Sequence, residues 1–144
     1  MNRKYYYMAN NNPRKLIAIY QFCDKIEKTI DRFGNDFNTF QNDSDFYDSL
    51  FMKMVQLSEL TKTVDDEYKK QTANQVPWAG IDGALEHIRM GFMAPHHFSV
   101  LGIMDDDLLW QSAIKDVPKL KDFCDKELEK EGRPVKSWTI ENEQ

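Results

Sequence analysis

Apolar residues recur at three- and four-residue steps along most of the chain, the spacing that places side chains on one side of an α-helix. The first stripe follows Asn12-Pro13, a typical helix start with asparagine as N-cap and proline in the first turn. Gly34 favours the left-handed conformation that ends helices, so we predict a first helix that stops there. Its apolar stripe comprises Leu16, Ile19, Cys23, Ile26, Ile30 and Phe33.

A second stripe follows a polar connector over residues 35–42 that carries two phenylalanines. Asp43 or Ser44 is expected to cap this second helix, and its apolar positions continue as far as Tyr68. Because both stripes are long and the connector is short, the first two helices are expected to pack as an antiparallel pair.

Two further helices are predicted in the second half of the chain. Pro77 should begin the third, and Pro95 should end it near Met93, since the residue before a proline disfavours helix. A short extra helix or irregular segment is expected over residues 95–104. The acidic run of residues 105–107 suits a helix N-terminus and should start the fourth helix.

The fourth apolar stripe continues in phase beyond Pro118, so this proline is expected to bend the helix rather than end it. Four helices with short links predict an all-α fold, an antiparallel up-and-down four-helix bundle. We expect a polar N-terminal extension over residues 1–12, one helical domain over 13–131, and a flexible polar tail over 132–144.

Composition supports a single helical domain. The chain has 144 residues, only 6 glycines and 5 prolines, and a net charge of −5. The negative charge disfavours non-specific nucleic-acid binding through bulk electrostatics but leaves room for a local basic cleft. Cys23 and Cys124 lie on apolar helical positions without ligand-like spacing, so buried reduced thiols are expected. With no hydrophobic leader and no long apolar window, we expect a soluble cytoplasmic protein that does not enter a membrane.

Arg89 and His96 are the candidates for chemistry. An arginine can hold an anionic phosphate with its forked donors, and a histidine can move protons near neutral pH. A structural alternative exists for each residue: Arg89 can be a surface side chain paired with Glu86, and His96 and His97 can be loop residues. Glu59 is interpreted as a satisfied polar group in the bundle or at a dimer contact.

Metal ligation is a further alternative, because three histidines (His87, His96 and His97) could combine with residues 105–107. The three aspartates are better explained as a helix start, so neither a metal nor a cofactor is expected.

An ordered series of short motifs is spread over about residues 13 to 130. Its members are Arg32-Phe33-Gly34, Gln56-Leu57-Ser58-Glu59-Leu60, Val76-Pro77-Trp78, Ile81-Asp82-Gly83, Asp107-Leu108-Leu109-Trp110 and Asp116-Val117-Pro118-Lys119-Leu120. In this order, on a four-helix frame, the chain resembles HepT-like toxins of the HEPN superfamily.

The resemblance implies the toxin component of a toxin–antitoxin system, a homodimeric, metal-independent endoribonuclease. In similar proteins, copies of an arginine and a histidine from two protomers line one cleft. The histidine assists attack of the ribose 2′-hydroxyl on the adjacent phosphate, and the arginine stabilises the negative charge that develops. Arg89 and His96 match this motif at its longest spacing, and His97 is a second candidate for the histidine. Lys115, Lys119 and Lys121 are either a solvated helix face or a guide for RNA.

The chain departs from the family pattern in three respects. Arg89 lies one helical turn beyond Leu85, which occupies the usual arginine position, and Met90 follows it instead of a polar residue. In related systems a MntA-like nucleotidyltransferase antitoxin adds AMP to a tyrosine two positions after the histidine. Phe98 stands there and has no hydroxyl group to modify. The alternative function is therefore a catalytically inactive HEPN module that binds a nucleotidyltransferase partner or a nucleotide.

Overall fold

The computed structural model describes residues 12–93 and 105–132, and within these ranges the chain is all α-helical, without a β-strand. Helix α1 spans Asn12–Phe33. Gly34 follows with a φ of 108°, and its N–H donates to the Ile30 carbonyl at 2.8 Å. Since a positive φ strains residues that carry a Cβ atom, glycine suits this position, and the predicted first helix and its stop are confirmed.

The predicted connector contains a short helix, α2, over Phe37–Asn42. Asp36 caps it by accepting from the backbone N–H and the hydroxyl of Thr39, both at 2.9 Å. Asp43 then caps α3 by accepting from the N–H groups of the first helical turn, as predicted. The polar residues of the connector thus serve as caps of two helices.

Helix α3 spans Ser44–Lys62, so the prediction of a helix continuing to Tyr68 was wrong. The chain tightens at Thr63, whose N–H and hydroxyl both bond the Leu60 carbonyl. A separate short helix, α4, follows over Asp66–Gln71. Val64 and Tyr68 are nevertheless buried, so the apolar pattern reported burial correctly although the backbone is interrupted.

The second half of the described chain begins with α5, Trp78–Met93, directly after Pro77. Helix α6 spans Asp106–Gln111, capped by Asp105, and α7 spans Val117–Lys130. Between them lies a π-helical turn, Ser112–Asp116, in which the Val117 N–H bonds the Ser112 carbonyl. The irregularity expected at Pro118 is therefore a π-turn just before it, and the proline, which lacks an N–H, occupies the first turn of α7.

The helices enclose one apolar core. Helix α1 packs against α3 and α7, and α5 packs against α3, α6 and the π-turn. Cys23 and Cys124 are buried and unbonded, as predicted. In the described parts of the chain, no helix combines the length and apolar character needed to cross a bilayer. The predicted N-terminal extension, the segment 95–104 and the C-terminal tail fall almost entirely outside the described residues.

Candidate functional site

Arg89 lies near the end of α5, where its guanidinium is held by Glu86 one turn earlier. Nη2 donates to Glu86 Oε1 at 2.7 Å, and Nε donates to Oε2 at 3.0 Å. These paired hydrogen bonds raise the pKa of Arg89 and lower the pKa of Glu86. The structural alternative predicted for Arg89, a pairing with Glu86, is therefore present.

Two residues of α3 extend this pair into a charged group that we call the Arg89 cluster: Glu59, Lys62, Glu86 and Arg89. Glu59 Oε1 lies 3.6 Å from Arg89 Nε, and Lys62 Nζ lies 3.7 Å from Glu86 Oε2. The Arg89 side chain is only 17% exposed, whereas the Glu59 side chain is 59% exposed. With two acids and two bases the cluster is neutral, so an incoming phosphate would compete with Glu86 for the arginine fork.

His96, His97 and Phe98 lie outside the described residues, so their roles stay predictions. Two of the three aspartates considered as metal ligands have structural roles. Asp105 accepts from the Leu108 N–H at 3.1 Å, and Asp106 accepts from the Tyr47 hydroxyl at 2.9 Å. Across residues 12–93 and 105–132, no three side chains of the ligating types are grouped to hold a metal ion.

Exposed apolar side chains lie beside the Arg89 cluster. Among the described residues the large exposed hydrophobic side chains are Met52, Met90 and Phe92, at 40%, 39% and 41% exposure. Met90 is next to Arg89, whose Nη2 lies 3.7 Å from the methionine sulfur. The Phe92 ring lies 6.2 Å from that of Phe51, which precedes Met52 on α3. We call Met52, Met90 and Phe92 the apolar patch.

The motifs at the start of α5 have structural roles that sequence reasoning missed. Trp78 Nε1 donates to the Thr72 hydroxyl at 2.9 Å, within the core. Lys69 bonds Asp82 Oδ2 at 2.7 Å and lies 5.3 Å from the centre of the Trp78 ring. These contacts join the segment around α4 to α5, and so they fix the orientation of the helix that carries Arg89.

The lysines of α7 that were considered as an RNA guide include one that is already neutralised. Lys121 Nζ bonds Glu27 at 2.7 Å and Asp24 at 3.2 Å. Both residues, together with Asp31, line a cleft of about 380 Å³ between α1 and the π-turn. Lys28 and Lys121 also line the cleft, but three carboxylates outnumber these two lysines, so its charge disfavours a phosphate.

No protein-family model matches the chain, and searches of curated proteins and of solved structures found no match either. The assignment of function therefore depends on the residues and geometry described above.

Proposed function

We propose that the chain is a HepT-like toxin of the HEPN superfamily, a homodimeric, metal-independent endoribonuclease that acts in the cytoplasm. The ordered motifs and the all-helical fold support the family, with a four-helix HEPN bundle as its architecture. The observation that carries the activity is the position of Arg89, on α5 at the edge of the apolar patch. A guanidinium in this place can reach a cleft formed with a second copy of the chain.

In the proposed dimer, the apolar patches of two protomers face one another. Burying Met52, Met90 and Phe92 favours association, and the same contact brings both copies of Arg89 to one groove. His96 follows Arg89 by seven positions in the sequence and is proposed to supply the imidazole.

The reaction needs a base, an acid and charge stabilisation. An imidazole of His96 accepts the proton of the ribose 2′-hydroxyl, whose oxygen attacks the adjacent phosphorus. The bond from phosphorus to the 5′ oxygen breaks, leaving a cyclic 2′,3′-phosphate, and the departing oxygen takes up a proton from water. Arg89 stabilises the charge that develops on the phosphate oxygens. Its bonds to Glu86 must open first, so Glu86 restrains the free enzyme.

Cleavage of total RNA in the presence of EDTA tests this activity. Arg89→Ala and His96→Ala should each slow cleavage at least about a hundredfold, because each removes a group needed in the transition state. Arg14→Ala, at an exposed position of α1, is the matched control and should cleave normally. RNA left intact by the unaltered protein at high concentration would contradict the proposal.

The dimer can be tested separately by sedimentation equilibrium. Met90→Glu should give monomers, because it places a charge in the apolar patch, whereas Asn74→Glu at an exposed position elsewhere should not. Equal association of both variants would contradict a dimer that forms through the apolar patch, and with it the shared groove.

A second candidate is the catalytically inactive HEPN module that binds a nucleotidyltransferase partner or a nucleotide. The double hydrogen bond between Glu86 and Arg89 favours it, since a neutralised arginine is a poor phosphate ligand. Glu86→Gln separates the two candidates: it should accelerate cleavage in an enzyme that Glu86 restrains, and leave RNA intact in an inactive module. Under either candidate, a MntA-like antitoxin would act by direct binding, because Phe98 cannot be adenylylated.

A further inference from the structure

Two contacts determine how α1 and α3 lie against each other. The rings of Phe33 and Phe46 stack with centroids 4.9 Å apart, and Lys15 Nζ donates to the Thr63 carbonyl at 2.6 Å. The first contact joins the end of α1 to the start of α3, and the second joins the opposite ends. The helices are therefore antiparallel, and facing residues have numbers that add to 78 or 79.

This register brings basic side chains together. In this register Lys53 of α3 lies opposite Lys25 of α1. Arg32 lies two turns further along the same side of α1. Lys25 Nζ lies 4.8 Å from the centre of the Phe22 ring, and the Arg32 guanidinium lies 5.5 Å from that of Phe33. We call Lys25, Arg32 and Lys53 the basic strip.

No carboxylate of the described residues pairs with the basic strip. Lys53 Nζ instead donates to the Ser49 hydroxyl at 2.6 Å, and the ion pairs among the described residues all involve other cations. Partial burial, together with the charges of Lys25 and Arg32, lowers the pKa of Lys53. This is unexpected in a chain with 24 acidic and 19 basic residues, where most cations could find an acidic partner.

Three neighbouring cations without an ion-pair partner among the described residues suit a ligand that carries several negative charges in a row. We propose that the basic strip binds the phosphodiester backbone of single-stranded RNA. Binding would relieve the repulsion by placing phosphates between the cations. The two rings beneath Lys25 and Arg32 hold these side chains against α1, which lowers the entropy lost on binding.

The basic strip is distinct from the Arg89 cluster. Helix α3 presents Lys53 towards α1 and Glu59 towards α5, so the two groups lie on opposite sides of its exposed face. Bound RNA would cross α3 on its way from the strip to Arg89. The choice of RNA over other polyanions rests on the proposed function. The existence of a cationic site does not depend on that function.

Fluorescence anisotropy with a labelled single-stranded RNA tests this inference, with full-length His96→Ala protein used to prevent cleavage. Combined Lys25→Ala, Arg32→Ala and Lys53→Ala should weaken binding about tenfold or more. The salt dependence of log K should also become shallower by about 2, as expected for three lost phosphate contacts. Lys70→Ala, Lys126→Ala and Lys130→Ala together form the control, with the same change in charge at exposed positions.

Equal binding by the strip variant and the control would overturn the inference, and so would tighter binding of an acidic polyglutamate peptide than of RNA. Arg32→Ala alone, at an exposed position, provides a second variant should the triple variant fold poorly, and its binding should fall severalfold. Failure of the proposed function looks different. In that case RNA stays uncleaved in the gel assay while the strip still binds it.

Discussion

Helix α1 presents side chains of opposite charge to its two neighbours, α7 and α3. Towards α7 it presents Asp24 and Glu27, which bond Lys121 at 3.2 Å and 2.7 Å. Towards α3 it presents Lys25 and Arg32, which face Lys53 without an acidic partner in the described chain. The same helix therefore neutralises one incoming lysine and repels the other.

The pKa values of the two lysines move in opposite directions for this reason. Burial alone would lower both. For Lys121, the hydrogen bonds that its ammonium group donates to Glu27 and Asp24 outweigh burial and raise the pKa. For Lys53, the charges of Lys25 and Arg32 add to the effect of burial and lower it. The contact with α7 thus stabilises the fold, whereas the contact with α3 leaves charge available to a ligand.

The largest expected effect on the free energy of unfolding concerns the contact between α1 and α7. Lys121→Glu would place a third carboxylate beside Asp24 and Glu27, and we expect it to lower the free energy of unfolding by about 2 kcal/mol. Urea denaturation at neutral pH measures this loss. Lys119→Glu, an exposed position on the same helix, is the control and should change stability by less than about 0.5 kcal/mol. Equal losses would mean that Lys121 contributes no specific pairing.

A smaller effect is expected from the pH dependence of this same contact. Hydrogen bonds from Lys28 and Lys121 outweigh the effect of burial and lower the pKa of Asp24 from 3.8. Asp24 therefore stabilises the fold fully above its unfolded pKa, and this contribution disappears as the pH falls below 3.8. Asp24→Asn should cost about 1 kcal/mol at pH ~7, and this cost should shrink as the pH falls below 3.8. A constant difference in urea stability across this range would contradict the assignment.

The smallest effect on stability is expected on the α3 side, with the opposite sign. Lys53→Glu would place a carboxylate beside Lys25 and Arg32, and should raise the free energy of unfolding by about 0.5 kcal/mol. The same change should weaken RNA binding, since it leaves only two cations in the basic strip and adds a carboxylate beside them. A variant that is more stable yet binds less would sharpen the contrast between the two sides of α1. A destabilised Lys53→Glu protein would contradict the proposed repulsion of Lys53 by Lys25 and Arg32.

Local signals predicted much of the fold. The start and end of α1, the cap at Asp43 and the helix beginning after Pro77 all depend on neighbouring residues, and all are present. The break after Lys62 was missed because the apolar period continues across it to Tyr68. The helix over Phe37–Asn42 was missed because six residues are too few for a period to be recognised.

The candidate sites were harder to predict, since they depend on contacts between helices. The pair of Glu86 and Arg89 was foreseen as an alternative because the residues lie three positions apart on one helix. Glu59 and Lys62 join the Arg89 cluster only because α3 packs on α5, so their contacts could not be predicted from the sequence. The basic strip was not foreseen, because Lys25 and Lys53 meet only in the register set by Phe33 and Phe46.

The two cysteines make the boundary between α1 and α7 observable in solution. Cys23 lies on α1 and Cys124 on α7, and both are completely buried. Burial raises the pKa of each thiol, so that little reactive thiolate forms near neutral pH. The sequence contains no other cysteine. An alkylating reagent therefore modifies the protein only when these helices separate, and its rate of incorporation reports how often they do.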